Sequence, residues 1–319
     1  MKDHQLKALV QVADSGSIRA AARAMNLSQS ALTKALRELE EDVGAELLQR
    51  SYKGIGFTAE GNALLVRARL VLATIENARA EIRQMRGGAG AHVKAAITPL
   101  LTATVLPDVL AAFRKAQPDA GLTFHEGLLV QALPGLIEGK IDFAIALASS
   151  QDLPYEIEFE PLAEIEAVPM VRTSHPLAAA QDWRAVADAE WALNLSAGSQ
   201  SMNLVEWLKA QGHPAPSRIL HCSSPFLILD LVRRNDLIGY GPKVLITDPQ
   251  VGVGLRPLAL QPLPPTMPLG LLTLRGVPLG SAAKKLANLF RRELDARLGG
   301  HATARPLAAD ARSVTDHRR

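Results

Sequence analysis

The chain has 319 residues, 48% of them hydrophobic and 21% charged, with a net charge of +3 and an isoelectric point near 9.1. That length predicts two or three folded units, and the composition is that of a soluble globular protein with a sizeable core rather than a disordered or fibrous chain. The single cysteine, Cys222, excludes an internal disulfide framework and a cysteine-built zinc site and fits a reducing cytoplasm.

Aromatics make up only 4% of the chain, so the core must rest on Leu, Val, Ile and Ala. Cys222 itself reads as a small buried core residue rather than a redox sensor. The mild basic balance does not by itself single out nucleic acid as a partner. Residues 1–10 carry Asp3 and His4 and have no uninterrupted apolar run, so no signal peptide is expected. The apolar stretch 64–75 is broken by Arg67 and Arg69, so no membrane span is expected either. These readings predict a soluble, cytoplasmic protein.

In chain order, Leu6, Leu9, Val10 and Ala13 form the stripe of an amphipathic helix that Asp14-Ser15-Gly16 ends. Ser17 is a natural N-cap for a second helix with the stripe Ile18, Ala21, Ala22 and Met25. Asn26-Leu27-Ser28 reads as a tight turn into a third helix over 28–42. Residues 46–58 read as two short β segments around Tyr52-Lys53-Gly54, a wing.

From 58 to 86 the pattern is continuously helical. Leu64, Val71, Ala78 and Met85 recur every seven residues, with Ala68, Ile75 and Ile82 at the complementary heptad positions. At about 1.5 Å per residue this helix makes a rod roughly 40 Å long. Its apolar stripe is narrow, which suits the seam of a dimer better than a broad core.

The character changes at Gly87-Gly88-Ala89-Gly90, where a hinge is expected. Beyond it, strands are predicted at 93–97, 122–125, 142–147 and 191–195, with helices at 102–115, 130–138 and 202–211. Further strands are predicted near Ile219 and at 237–240 and 269–274, with a closing helix over 281–298. Alternation of this kind implies βαβ units and parallel sheet. Residues 301–319 are rich in Ala, Arg and Asp without an apolar stripe and read as a disordered tail.

The decisive segment is 17–39. At about 100° per residue, Gln29, Ser30, Thr33, Lys34 and Arg37 fall within one arc of about 140° on the third helix, opposite Leu32, Ala35, Leu36 and Leu39. The outward arc carries an amide, two hydroxyls and two cations, the donors and acceptors that read base edges and phosphates in a major groove. The acids Glu38, Glu40, Glu41 and Asp42 gather at the helix C-terminal end, away from the groove-facing turns.

Residues 9–58 closely resemble the N-terminal domain of LysR-type transcriptional regulators. The resemblance rests on Gly16-Ser17, Ala20, Ala21, Ala22, the run from Leu27 to Thr33, Leu39-Glu40, Gly44, Leu47-Leu48, Arg50 and Phe57-Thr58-Ala59-Glu60-Gly61. The chain has Ser30 where the family usually has Pro, and Leu48 where it has Phe. The resemblance implies that Ser28, Gln29, Ser30, Thr33, Lys34 and Arg37 contact DNA, with Arg50 and Lys53 reaching phosphate or minor groove from the wing. It implies a multi-domain chain: an all-α winged helix-turn-helix over 1–58, a linker and dimerisation helix over 59–87, and an α/β effector domain over 88–300. That domain would be two-lobed and similar to a periplasmic binding protein, with lobe I near 91–162 and 266–298 and lobe II near 163–265. Promoter DNA, a small-molecule effector, RNA polymerase and further copies of the chain (a dimer or tetramer) are the implied partners. Neither a cofactor nor a metal is called for.

Two later segments carry the resemblance more weakly, Thr173-Ser174-His175-Pro176-Leu177 and the run from Asp236 to Pro242. Ligands of open α/β sheets sit beyond the carboxyl ends of strands, at the helix starts that follow. Thr98 to Thr102 and Ser196 to Ser201 put hydroxyls at such starts in both lobes and contain no acid, which favours an organic anion. The candidate effector residues are therefore Thr98, Leu100, Thr102, His125, Leu129, Ser196, Ser199 and Phe226.

An enzyme is the competing class. There is no dinucleotide glycine fingerprint, no phosphate-cradling loop and no Gly-x-Ser-x-Gly elbow. Ser281 and Lys284 have the spacing of a nucleophile pair, but Ser281 is an expected N-cap and Lys284 a solvated face. A free solute-binding protein is disfavoured by the N-terminal helix-turn-helix.

Overall fold

A computed structural model describes residues 1–51, 54–85 and 91–298. The N-terminal head is made of α1 (Asp3–Ser15), α2 (Ile18–Ala24), α3 (Gln29–Val43) and a two-stranded antiparallel hairpin of β1 (Leu48–Ser51) and β2 (Gly54–Phe57). Local chemistry sets these boundaries. Gly16 and Gly44 end α1 and α3 in the left-handed region, at φ 69° and 70°. Ser17 and Ser28 accept cap hydrogen bonds from the backbone N–H groups of Ala20 and Ala31. Leu9, Leu32 and Leu39 are fully enclosed where the helices meet. Burial of each is worth about 1.5–3 kcal/mol. In α1, Val12 and Ala8 are buried where Val10 and Ala13 are only half-buried, because α1 packs against α2, α3 and α4 together.

The long helix α4 (Ala59–Met85) does not present its whole heptad stripe to solvent. Ala68 is 1% exposed and lies in the head's own core, with Leu64 packed against the same cluster. The expectation that Ala68 offers a side chain to a partner is therefore overturned, since the head consumes that stretch of the stripe. Farther along, Val71, Ala78 and Ile82 are exposed and Ile75 is half-buried. The side chain of Met85 lies outside the described residues.

The rest of the chain builds two five-stranded sheets. Lobe I contains β3 (His92–Ile97), α5 (Pro99–Thr104), α6 (Leu106–Ala116), β4 (Gly121–Glu126), α7 (Leu129–Ile137), β5 (Phe143–Leu147) and β6 (Ile157–Ile165). Lobe II contains β7 (Ala167–Arg172), β8 (Glu190–Leu193), α8 (Gln200–Ala210), β9 (Arg218–His221), α9 (Pro225–Arg234), β10 (Ile238–Pro242), α10 (Lys243–Ile246) and β11 (Leu255–Pro257). The chain then returns through β12 (Met267–Leu274) to lobe I and closes with α11 (Ser281–Leu298). Strand order is β4-β3-β5-β12-β6 in lobe I and β11-β7-β10-β8-β9 in lobe II.

Neither sheet is purely parallel, contrary to expectation. β3 runs parallel to β4 and β5, and β8 to β9 and β10, but β12 opposes β5 and β6, and β7 opposes β10 and β11. The reason is the double crossing between lobes. β7 and β12 each enter their lobe from the cleft side, where the parallel strands end. The single helix predicted over 102–115 is broken at Val105, because Pro107 lacks the N–H that would bond the Ala103 carbonyl. β7 itself escaped prediction because Pro169 sits in its middle.

Candidate nucleic-acid interface and interlobe cavity

The outward face of α3 is displayed as its periodicity predicts. Gln29, Ser30, Lys34 and Arg37 are exposed and Thr33 is half-buried, while Leu32, Leu36 and Leu39 are enclosed beneath them. The hydroxyls are partly committed. Thr33 Oγ1 donates to the Gln29 carbonyl at 2.8 Å, and the Ser28 and Ser30 hydroxyls share a 3.0 Å hydrogen bond. Among the described residues the side chains of Gln29 and Arg37 have no partner, and that of Lys34 has a 3.9 Å ion pair with Glu38. A shallow depression runs between these residues and is bounded by Glu38 and Glu41. The acids Glu38 and Glu41 thus rim the outward face instead of standing clear of it.

The hairpin is tied to the reading helix from below. Glu40 Oε1 accepts from the backbone N–H groups of Leu47 at 2.9 Å and Leu48 at 3.2 Å. Thr58 Oγ1 donates to the Glu46 carbonyl at 2.7 Å and accepts from the Gly61 N–H at 2.9 Å. A Cβ on Gly61 would lie 2.0 Å from the Leu47 carbonyl oxygen, so only glycine fits there. Glu40, Thr58 and Gly61 therefore fix the wing's root. Lys53, with Tyr52, lies outside the described residues, as does the side chain of Arg50.

Between the lobes lies a cavity of about 70 Å³. One water needs roughly 10–15 Å³ on this measure, so the space suits a molecule of a few heavy atoms. Its walls are apolar and come from both lobes: Leu100, Leu128, Leu129 and Leu147 on one side, Met170, Ile228, Leu229 and Ile246 on the other. Thr98, Asn194, Ser199, Gln200, Ser201 and Tyr240 supply its polar lining, and no Asp, Glu, Lys, Arg or His is among the described lining residues.

Polar groups in this lining divide into committed and free. Ser199 Oγ donates to the Asn194 carbonyl and accepts from the Met202 N–H at 3.1 Å, capping α8. Asn194 Oδ1 accepts from the Ser196 N–H at 2.9 Å and its Nδ2 donates to the Ser223 carbonyl at 3.3 Å. In contrast Thr98, Ser201 and Tyr240 are 5%, 3% and 6% exposed, line the cavity, and their hydroxyls make no hydrogen bond among the described residues. Gln200 Nε2 is also buried without an acceptor. Burial, reinforced by the negative charge of Glu166, holds the Tyr240 phenol well above its usual range, so it stays a neutral donor.

Of the predicted effector residues, Thr98, Leu100, Leu129 and Ser199 line the cavity. Thr102 sits one helical turn beyond Thr98, with its Oγ1 enclosed, unpartnered and off the wall. His125 is exposed on β4, and Ser196 is exposed beside the cap it helps to form. Phe226 is 37% exposed, because Ile228 and Leu229 take the inward face of α9. Leu128, Gln200, Ser201 and Tyr240 were missed. Tyr240 lies within the run from Asp236 to Pro242 that carries the family resemblance, and that run was the signal that could have found it. Cys222 is 5% exposed among apolar neighbours, and burial raises its thiol. Among the described residues no cluster of His, Cys, Asp and Glu could hold a metal, and no helix is long and apolar enough to cross a membrane.

Comparison with known proteins matches this geometry. The family model described as "Bacterial regulatory helix-turn-helix protein, lysR family" matches residues 4–62, and "LysR substrate binding domain" matches 86–295. The HTH-type transcriptional regulator TdcA of Escherichia coli is 27% identical over 237 residues, which is 74% of this chain and 76% of that protein. The SDS degradation transcriptional activation protein of a Pseudomonas species is 28% identical over 306 residues, 92% of this chain and 96% of that protein. Among solved structures, full-length LysG from Corynebacterium glutamicum with bound effector Arg aligns with a TM-score of 0.68 at 20% identity, covering 92% of this chain and 98% of that one. Full-length CbnR complexed with its target DNA aligns at 0.61 and 21% identity, covering 92% and 100%. These two share the fold of this chain. The relatives are transcriptional regulators, not enzymes.

Proposed function

The chain belongs to the LysR family of bacterial transcriptional regulators, and from that premise we propose that it binds promoter DNA as a dimer and answers a small organic acid seated between its lobes. DNA binding through the helix-turn-helix and the presence of an effector-binding domain follow from the family. The acid is our reading of the cavity.

One observation supports it most. A wall without any charged side chain among its described residues gathers the hydroxyls of Thr98, Ser201 and Tyr240 and the Gln200 amide, of which Gln200 and Ser201 open the 11-residue helix α8. The enclosed Gln200 Nε2 has no acceptor, which costs about 1–3 kcal/mol, and a carboxylate facing these groups relieves it while accepting from the hydroxyls as well. Two or three such hydrogen bonds hold a carboxylate ionised without a cation, and the helix dipole adds to them. The six-residue α5 is too short to contribute a comparable dipole, so lobe I supplies the Thr98 hydroxyl and the apolar floor.

In this reading Gln29, Ser30, Lys34 and Arg37 meet the major groove, Thr33 contributes its hydroxyl oxygen, and Ser28, Arg50 and Lys53 meet phosphate. The exposed ridge of Val71, Ala78 and Ile82, with Ile75 beside it, pairs two α4 helices, and two-fold symmetry then places two reading helices on an inverted repeat. The regulator acts in the cytoplasm beside RNA polymerase.

The test is a thermal-shift series pairing small monocarboxylates with their amides. A matched acid at 100 times its dissociation constant stabilises by about 2.7 kcal/mol while its amide does not. Stabilisation by amines or amides alone would overturn the acid. Sedimentation of the wild-type chain as a monomer at micromolar concentration would overturn the dimer.

A further inference from the structure

We propose that Arg69 is a positioning residue that fixes the DNA-reading head against lobe I of its own chain, through ion pairs to both. Arg69 lies near the middle of α4 and only 8% of its side chain is exposed. One guanidinium nitrogen meets Asp14 Oδ1 at 2.6 Å, in the last turn of α1, and the other meets Glu138 Oε2 at 3.3 Å, at the C-terminal end of α7. Lys140 Nζ closes the group, 2.7 Å from Glu138 Oε2 and 4.0 Å from Asp14 Oδ1. Two cations and two carboxylates, drawn from the head, the linker helix and lobe I, thus form one neutral quartet.

The backbone is shaped for this contact. Gly139 takes φ +67°, and a Cβ there would stand 3.3 Å from Leu70 Cδ2 and 3.4 Å from Ala73 Cβ. A glycine between Glu138 and Lys140 lets that loop lie directly against α4. Below the quartet, the apolar seam of Leu70 and Ala73 against Leu136 and Ile141 is loose, with a gap of about 30 Å³. Loose apolar packing leaves orientation poorly specified, whereas a forked guanidinium spanning two carboxylates admits one arrangement. Burying the guanidinium is costly, and its Nε has no partner. The arrangement therefore serves geometry more than stability. The quartet thereby ties the head and α4 to lobe I, and lobe II contributes no residue to it.

The experiment measures the head-to-lobe distance directly by pulsed electron resonance. Spin labels on cysteines at the exposed positions Arg23 and Asp119 report it, and buried Cys222 stays unlabelled. Mixing with a tenfold excess of unlabelled chain keeps the signal within one subunit. The otherwise wild-type chain should give one narrow distribution. Glu138→Gln and Asp14→Asn, which each cut one arm at a partly exposed carboxylate, should broaden it at least twofold, and Arg69→Lys, which keeps the charge but loses the fork, should broaden it too. Arg69→Met is the harsher variant, and the result does not depend on its folding. Wild-type width in both carboxylate variants, or a broad distribution in the wild-type chain itself, would overturn the assignment.

Discussion

In the function we propose, the outward face of α3 and the interlobe cavity solve opposite recognition problems with different chemistry. On α3, Arg37 and Lys34 stand in solvent beside Gln29, and no described residue forms an ion pair with Arg37. In the cavity the described lining carries no charge, and its free polar groups are hydroxyls and an amide buried by more than nine-tenths or enclosed at the atom. A polyanion brings its own charge density and releases counterions, so exposed cations suffice. A small ligand must be desolvated completely, and there a buried cation would cost more than aligned neutral donors. The two sites teach that what the partner brings decides whether charge is displayed or withheld.

The strongest way to break this pairing is Gly61→Ala. Its Cβ would overlap the Leu47 carbonyl, at a cost of about 3 kcal/mol or more. Calorimetry should show the head melting early and operator binding lost, with ligand stabilisation of the two lobes retained. If the lobes lost their ligand response as well, the sites would not be separable.

Next in size are Gln29→Ala and Arg37→Ala. Each should weaken binding to the specific operator by about 1–3 kcal/mol, or roughly 5- to 150-fold, without moving the melting temperature. Footprints identical to wild type for both would remove α3 as the reading element. Ser201→Ala and Tyr240→Phe should each weaken the acid by about 0.5–1.5 kcal/mol, close to the worth of one neutral hydrogen bond, while ligand-free DNA affinity stays unchanged. Calorimetric titration checks the first half and gel shift the second. Ser199→Ala serves as a contrast, because its hydroxyl caps α8 and its loss should appear in stability by about 1 kcal/mol.

Smaller still, Lys34→Ala should lower the slope of log affinity against log salt by about 0.9, the share of one phosphate contact. At the cavity, pH should have no effect. Among the described lining residues Tyr240 is the one titratable group, and burial holds its phenol above the usual range, so it stays protonated throughout neutral and mildly alkaline solution. A monocarboxylate titrated from pH 6 to 9 should show constant affinity, and a break in that range would place an unrecognised ionising group at the site.

Local chemistry was legible where a residue acts on its own neighbours. Ser17 and Ser28 announce helix starts, and the period of 3.6 separates Leu32 and Leu36 from Gln29 and Arg37. The closing helix, Ser281–Leu298, has the bounds its pattern predicts. Legibility failed where the deciding partner is distant. Ser199 looks like a ligand donor until the Asn194 carbonyl and Met202 N–H are seen to occupy it. Ser201 and Tyr240 look ordinary until the second lobe encloses them. Arg69 reads only as an interruption of an apolar run, because Asp14 and Glu138 are far from it in sequence and come to it through the fold. The heptad stripe of α4 likewise cannot reveal that its first half serves the head.

The place of β12 between β5 and β6 imposes an order of assembly during synthesis. Until residues 267–274 have been translated, β6 has no neighbour in the sheet and the slot that separates it from β5 stays open. Lobe II draws all five of its strands from residues 167–257 and can close before that. As the chain leaves the ribosome, the inserted lobe is therefore the first of the two to become whole, and the lobe that began earlier waits for its keystone.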